Sequence, residues 1–421
     1  MSPRMYPASL LCTAVLVLAA IGTSSAADEP APRKRVAAVV SEYRHNSHAD
    51  VIASRLFQTQ TLDGKGAVPG MELVSLYTDQ VPESDTSRKW AGQYGFRIEN
   101  TVAGALTLGT GRLAVDGVLL IAEHGRYPVS DTGQIQYPKR RLFEQVVEVF
   151  KDSGRVVPVF IDKHLADNWQ DAKFIYDTAR EMKFPLMAGS SLPTLWRQPA
   201  VDVRSGAKLK QIVAVSYHTL DAYGFHALEM VQCLAERRAG GESGVASVQC
   251  LTGNAVWEAG EKGTYDEKLL AEAIRVLTPQ PTPTLRQLRE RVKEPVLFVI
   301  DYADGFRASV LTLNGAVGEW SVAWRYDDDS REATLFHTQE ARPFMHFAYL
   351  VDGVDRMMQA GKPAWPVERT LLTSGILDAA LVSKRDGSRR IETPYLKINY
   401  KSDWNWQPPP PAPPDRPLNE Q

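Results

Sequence analysis

Residues Gly154–Pro193 read GRVVPVFIDKHLADNWQDAKFIYDTAREMKFPLMAGSSLP. VVPVFI is a short apolar, β-branched run, the pattern of a buried strand. Asp162, Lys163 and His164 follow at its carboxyl end. From Trp169 to Lys183 the pattern turns helical, with Ala172, Ile175, Tyr176 and Ala179 on one face and charges opposite. PLMAG reads as a second strand, ending at Gly189. Strand, polar turn, helix and strand make a βαβ unit. Ligands of open α/β sheets sit outside the carboxyl ends of the strands, which puts Lys163 where chemistry is usually done. A solvated lysine on a surface loop is the plainer alternative.

Upstream, RVAAVV (Arg35–Val40) reads as the first strand, followed by SEYRHNSHAD and a helix from about Ala49 to Leu56. Glu72–Thr78 is the second strand, and Asp79 stands where a Rossmann unit places a ribose-binding acid. A helix at Ser87–Tyr94, a brief strand at Gly95–Ile98 and a helix at Val102–Leu108 follow. Val115–Ile121 is a buried fourth strand running into Glu123 and His124, and Arg140–Asp152 is the helix that leads to the strand of Lys163. No glycine occurs between Arg35 and Gly64. A turn that cradles a pyrophosphate at a helix N-terminus uses glycines for close backbone approach. Arg44, His45 and His48 occupy this turn instead; they suit an anion or polar ligand, or they simply cap and solvate the turn.

Downstream, residues 194–210 are irregular and polar, and Gln211–Tyr217 is a strand. Gly224-Phe225-His226 then opens an amphipathic helix with Leu228, Val231 and Leu234 on one face. Val245–Leu251 reads as a strand, Trp257–Lys262 as polar, Tyr265–Leu277 as a helix and TPQPTPTLRQL as a connection. Strands at Pro295–Ile300, Arg307–Leu313, Trp320–Tyr326 and Glu332–His337 form an antiparallel sheet. Helices at Phe347–Ala360 and Val367–Ser383 close the fold, and residues 404–421 form an extended or disordered proline-rich tail.

In this order and spacing the chain resembles the Gfo/Idh/MocA family (glucose–fructose oxidoreductase, inositol dehydrogenase and relatives) over about residues 36–400. That family carries a Glu-Lys-Pro turn where Asp162-Lys163-His164 stand, and the match makes Lys163 its catalytic lysine. Its Asp-x-Gly-x-His segment matches His226 through Gly224, with Asp221 one residue further away than the family spacing. Its closing small-residue pattern matches Ala380–Ser383. The resemblance implies a doubly wound Rossmann-like α/β domain and a C-terminal α+β domain with a mostly antiparallel sheet. It also implies Lys163 and His226 as the proton-transfer pair, with Asp221 orienting His226. Arg44, His45, His48, Asp79, Glu123 and His124 would line the nucleotide side. The implied reaction is oxidation of a sugar or polyol with NAD or NADP, and self-association through the second sheet.

The 421 residues divide into 1–26, 35–193, 194–400 and 401–421. Residues 1–26 read as a secretory signal: Arg4, an apolar run and a small-residue site at Ser24-Ser25-Ala26. The expected address is periplasmic or extracellular, with no integral membrane domain after signal removal. Cys233 and Cys250 are the only cysteines beyond it, and the sequence leaves open whether they pair. A net charge of -2 gives no reason to expect nucleic acid as a partner.

A lysine in a partly desolvated, positive crevice can be lowered toward neutrality, and a histidine titrates there already. That pair suits acid–base work on a hydroxyl. Besides the oxidoreductase, two readings fit: a cofactor-independent lyase, hydrolase or epimerase on the same fold, and a non-catalytic sugar-binding protein. His45, His48, His124, His164, His218 and His226 lie at strand ends or turns and raise a divalent metal as a question, although no HxH or HExxH spacing supports one.

Overall fold

Val36–Val40 are fully buried, as a β-branched and small-residue run must be when helices cover both faces of a parallel sheet. The computed structural model describes Met1, residues 32–278 and residues 281–411. In chain order the first half forms β1 (Lys34–Val40), α1 (His48–Ala53), α2 (Arg55–Gln58), β2 (Met71–Thr78), α3 (Ser87–Tyr94), β3 (Arg97–Glu99) and α4 (Val102–Thr107). It continues with β4 (Gly117–Ile121), α5 (Lys139–Ser153), β5 (Val159–Asp162), α6 (Trp169–Met182) and β6 (Leu186–Gly189). The six strands pair in parallel in the order β3-β2-β1-β4-β5-β6. The order reverses between β1 and β4, and a crevice opens at the carboxyl ends beside such a reversal.

The second half forms β7 (Trp196–Gln198), β8 (Leu209–Ser216), α7 (Ala222–Ala235), β9 (Val245–Thr252), α8 (Asn254–Glu261), α9 (Glu267–Leu277) and α10 (Leu285–Arg291). β10 (Val296–Tyr302), β11 (Arg307–Thr312), β12 (Trp320–Tyr326), β13 (Arg331–His337), α11 (Met345–Ala360), α12 (Val367–Arg385) and β14 (Ile391–Glu392) complete it. Its eight strands run β14-β9-β10-β11-β8-β12-β13-β7, antiparallel except for the β8–β11 pair. The fold class expected from sequence is therefore the one observed. One face packs on α7 and α12 through Phe225, Leu228, Leu372 and Ile376; the other packs on α8 and α9 through Trp257, Leu270 and Ile274.

α12 is buried on nearly every side and ties the two sheets together. Thr370 Oγ1 donates to Ala188 O (3.1 Å) at the end of β6, and Ser374 Oγ accepts from Leu165 N (3.1 Å). Ser383 Oγ accepts from Cys250 N (2.9 Å) in β9. Arg369 is fully buried and pairs with Glu236, equally buried, through Nη2–Oε1 at 2.5 Å and Nε–Oε2 at 3.0 Å. Removing one partner of such a pair strands the other charge. Arg369→Met should therefore lose about 3–5 kcal/mol in a denaturant titration, and adding Glu236→Leu should recover most of it.

Several local expectations are corrected. The single helix expected at Ala49–Leu56 is two, broken at Ser54, whose Oγ donates to Asp50 Oδ1 (2.6 Å). The irregular 194–210 stretch holds β7, a three-residue edge strand too short to show a period. The polar 257–262 stretch lies in α8, which buries Val256 and Trp257. α10 emerges from the proline-rich connection because Thr284 and Gln287 form a capping box. The described part of the tail, to residue 411, has no helix or strand but is docked: Trp406 Nε1 donates to Leu195 O (2.8 Å) and Pro410 O accepts from Trp196 Nε1 (2.7 Å). Cys233 and Cys250 are buried free thiols, each pushed up to about 12 by burial. The secretory signal lies outside the described residues apart from Met1. Among the described residues no helix is long and apolar enough to cross a membrane.

Candidate active site

The strand ends at the β1/β4 reversal open on a cavity of about 550 Å³, the size of a small-molecule site. Its floor comes from the first sheet. Glu123, two residues beyond β4, is 2 % exposed, and buried carboxylates need partners. Lys139, the first residue of α5, sets its Nζ 2.7 Å from Glu123 Oε1, and Lys163 sets its Nζ 3.3 Å from Oε2. Lys139 Nζ also donates to Asp162 O (3.0 Å) and His164 O (2.8 Å), so it clamps the backbone on both sides of Lys163. Burial works against the Glu123 carboxylate, yet Lys139 and then Lys163 hold it well below the ordinary range.

Lys163 is itself buried and stands in the left-handed region at φ 61°. Its N–H donates to Gly189 O (3.2 Å), which fixes it between β5 and β6. The expectation of a lysine lowered toward neutrality is overturned. Burial does press the ammonium down, but Glu123 and Asp162 outweigh it and hold Lys163 above its ordinary value. Lys163 is a cation and a proton donor, not a neutral base. Asn46 (φ 58°), His124 (φ 69°), His218 (φ 65°) and Phe344 (φ 51°) are left-handed as well, so five non-glycine residues on this cavity carry backbone strain.

The other wall comes from α7 and the second sheet. His226 is buried, and its Nδ1 lies 2.6 Å from Ser190 Oγ, which also accepts from Leu192 N (3.0 Å). Asp221 does not do the orienting expected of it. Its Oδ2 accepts from Ile135 N (3.3 Å), and Oδ1 is buried without a hydrogen-bond partner. Ser190 positions His226 instead. Burial raises Asp221 to about 6, with the Ile135 bond opposing. Burial lowers His226 well below 6.5, and Lys163 and His48 add to it. The cavity thus joins a cationic lysine, a neutral histidine and a carboxyl group that titrates near neutrality.

Of the residues expected on the nucleotide side, His48, Glu123 and His124 line the cavity. His48 is the first residue of α1, with Nδ1 2.6 Å from Asp162 Oδ2 and its ring 5.2 Å from that of His124. Arg44 reaches His124 Nδ1 (3.3 Å) from outside the cavity lining and pairs with Glu42 (2.7 Å). His45 is exposed, 3.9 Å from Asp50. Asp79 lies away from the cavity; Tyr127 OH (2.8 Å), Arg141 Nη2 (2.7 Å) and Tyr77 OH (3.1 Å) all donate to it. The histidines do not converge on an ion: among the described residues no group of three His, Cys, Asp or Glu has metal-holding geometry.

Sequence reading missed Lys139, Ser190, Trp320, Thr338 and His346, which complete the site or its support. Trp320 Nε1, Thr338 Oγ1 and His346 Nδ1 are buried without hydrogen-bond partners. Burial pushes His346 down to about 3. His346 offered the same signal as His226, a histidine opening a helix. Ser190 follows PLMAG directly but carries no pattern of its own.

Glu123 can be tested as the hub of the floor. Glu123→Ala leaves two buried ammonium groups without their carboxylate and should cost about 3–5 kcal/mol in denaturant unfolding. A lowered folded-state value makes this stabilisation fully present above the unfolded value of 4.5 and lost only as pH falls through the folded value. The difference between wild type and variant should therefore stay level above pH 5 and narrow in acid.

No family model matches the sequence, and no curated protein matches it. Solved structures do. The chain is similar to GenD2 from gentamicin A biosynthesis, solved with NAD: TM-score 0.55 at 15% identity, over 86% of this chain and 96% of that one. It is similar to myo-inositol 2-dehydrogenase from Lactobacillus plantarum, with TM-score 0.52 at 11% identity over 86% and 99%. It is also similar to scyllo-inositol dehydrogenase from Lactobacillus casei, with TM-score 0.52 at 9% identity over 86% and 98%. These likenesses span both sheets, and the chain has the two-domain Gfo/Idh/MocA fold of sugar and inositol dehydrogenases.

Proposed function

We propose that this chain is an exported enzyme that transfers protons at a hydroxyl-bearing carbon of a sugar or polyol. The observation that carries the reading is the joining of Lys163, His226 and Asp221 on one cavity, with charge states set apart by their surroundings. Lys163, held cationic by Glu123, donates to the substrate oxygen and stabilises negative charge developing there. His226, held neutral and fixed by Ser190, exchanges the proton through the ring nitrogen that Ser190 leaves free. Asp221, protonating near pH 6, is the second group able to exchange one. Trp320, Thr338 and His346 supply further buried polar groups on the cavity, in keeping with a ligand rich in hydroxyls.

NAD(P)-linked oxidation of the same hydroxyl is favoured by the inositol dehydrogenases that share the fold and by GenD2, solved with NAD. A bound dinucleotide would accept the hydride from the substrate carbon. The β1–α1 turn does not fit its diphosphate: no glycine lies there, and Tyr43 is fully buried in it. A divergent member of the family that has lost the glycine fingerprint accounts for both facts.

The test is ligand binding. A panel of neutral sugars, polyols and sugar acids is screened by saturation-transfer NMR, with calorimetry on any hit. Binding weakened at least about tenfold, or 1.4 kcal/mol, in His226→Asn and Asp221→Asn supports the reading, provided both variants still melt cooperatively. Binding indifferent to both substitutions, or no ligand at all from the panel, would sink it.

A further inference from the structure

A dinucleotide on this fold needs two anchors: free backbone N–H groups at the first turn for the diphosphate, and a carboxylate after the second strand for the ribose. The three glycine positions of the fingerprint, spaced from the end of β1, fall on Ser41, Tyr43 and Asn46. Ser41 Oγ donates to Glu123 O (2.6 Å). Tyr43 is fully buried, with its OH 2.5 Å from Ser54 Oγ. Asn46 keeps a left-handed backbone at φ 58°. Five of the turn's backbone donors are already committed. Ser41 N donates to Ile121 O (3.2 Å), and Arg44 N donates to Ser47 Oγ (3.2 Å). Asn46 N donates to Asp50 Oδ2 (2.9 Å), Ser47 N to Arg44 O (2.9 Å) and Asp50 N to Ser47 Oγ (3.3 Å). Each backbone donor makes its bond once, and a phosphate would have to break these.

Charge agrees with this accounting. Asp50, 1 % exposed in the first turn of α1, places a carboxylate where a diphosphate needs positive potential. Arg342, from the far end of the chain, spans Asp50 Oδ2 (2.8 Å) and Asn46 Oδ1 (3.1 Å) and so is itself engaged. Phe347 packs on His48 at the head of α1, ring centres 4.9 Å apart. At the other anchor, three side-chain donors from Tyr77, Tyr127 and Arg141 already occupy both oxygens of Asp79.

We infer that the β1–α1 turn is a sealed structural joint, and that this chain holds its ligand in the cavity alone, with no nicotinamide dinucleotide along β1 and β2. The acid–base roles proposed above stand with or without this inference. Together they leave reactions that need no external hydride acceptor. Epimerisation or isomerisation removes a C–H proton and returns one to carbon. Elimination passes the C–H proton to one group while a second group protonates the neighbouring hydroxyl, so that the C–O bond breaks, water departs and the C–H electron pair forms C=C.

The experiment uses the chain as purified, shown to melt cooperatively. NAD, NADH, NADP and NADPH are each titrated by calorimetry to about 1 mM, and denatured protein is assayed for released nucleotide. No saturable heat and no stoichiometric nucleotide are expected. A Kd below about 100 μM for any of the four, or about one equivalent released, would overturn the inference. Sugar binding is read separately, by the panel above. A protein whose sugar binding depends on His226 and Asp221 and that binds no dinucleotide upholds both proposals, and one that binds neither upholds this one and sinks the other.

Discussion

Lys163→Ala is expected to lower turnover by about 10²–10⁴-fold, the usual worth of a positioned acid–base group, while the fold survives. The geometry separates the two effects. Lys139 stays 2.7 Å from Glu123 when Lys163 is gone, so the buried carboxylate keeps its nearer partner. Alanine at a left-handed position retains the backbone strain, whereas Lys163→Gly relieves it and should be the more stable variant by roughly 1 kcal/mol. Both should be equally inactive. Rates on the best ligand from the sugar panel, with denaturant midpoints alongside, check this. Unchanged turnover in a well-folded Lys163→Ala would remove the lysine from the chemistry.

Acid should unfold this protein abruptly. Burial lowers His124 and His346 to about 3 and takes His164 and His226 well below 6.5. Each binds its proton near pH 6.5 only in the unfolded chain. Wherever the unfolded state binds more protons, stability falls as pH falls. With four such groups the slope below pH 6.5 approaches about 5 kcal/mol per pH unit. A domain worth about 5–15 kcal/mol cannot sustain that far below pH 5. Asp221 works in the opposite sense, since its value is raised to about 6 and the folded state takes that proton first. It offsets one of the four between about pH 6 and pH 4. Denaturant midpoints measured every half pH unit from 8 to 5 test the slope, and His346→Phe should flatten it by about a quarter. A flat profile would mean that these histidines are not buried neutral in solution.

The fold was readable because its carriers are periodic. VVPVFI, VDGVLLI and the Trp169–Met182 stripe each show one period over enough residues to decide strand or helix. What escaped is either short or set by tertiary contact. β7 has three residues, too few for an alternation. The 257–262 stretch reads as polar because charges and a glycine follow Trp257, although α8 buries that tryptophan. Lys163 and His226 were legible from position, one after a strand and one opening a helix. Their charge states were not, because Glu123, Lys139 and Asp162 converge from separate segments. The same holds for Asp221, whose partner is a backbone amide 86 residues away.

α12 gives the halves of this chain a shared beam. Its hydroxyls are bonded to the strand-end loops of the parallel sheet and to β9 of the other. A hinge between lobes that carried α12 with the second would have to break the Thr370 and Ser374 bonds to the parallel sheet. The parallel sheet has no complete interior without the later helices, since Val354 and Met357 of α11 and Val367 and Leu371 of α12 pack into its two cores. The lysine of one lobe and the histidine of the other therefore face a single cavity whose two sides are already joined through α12.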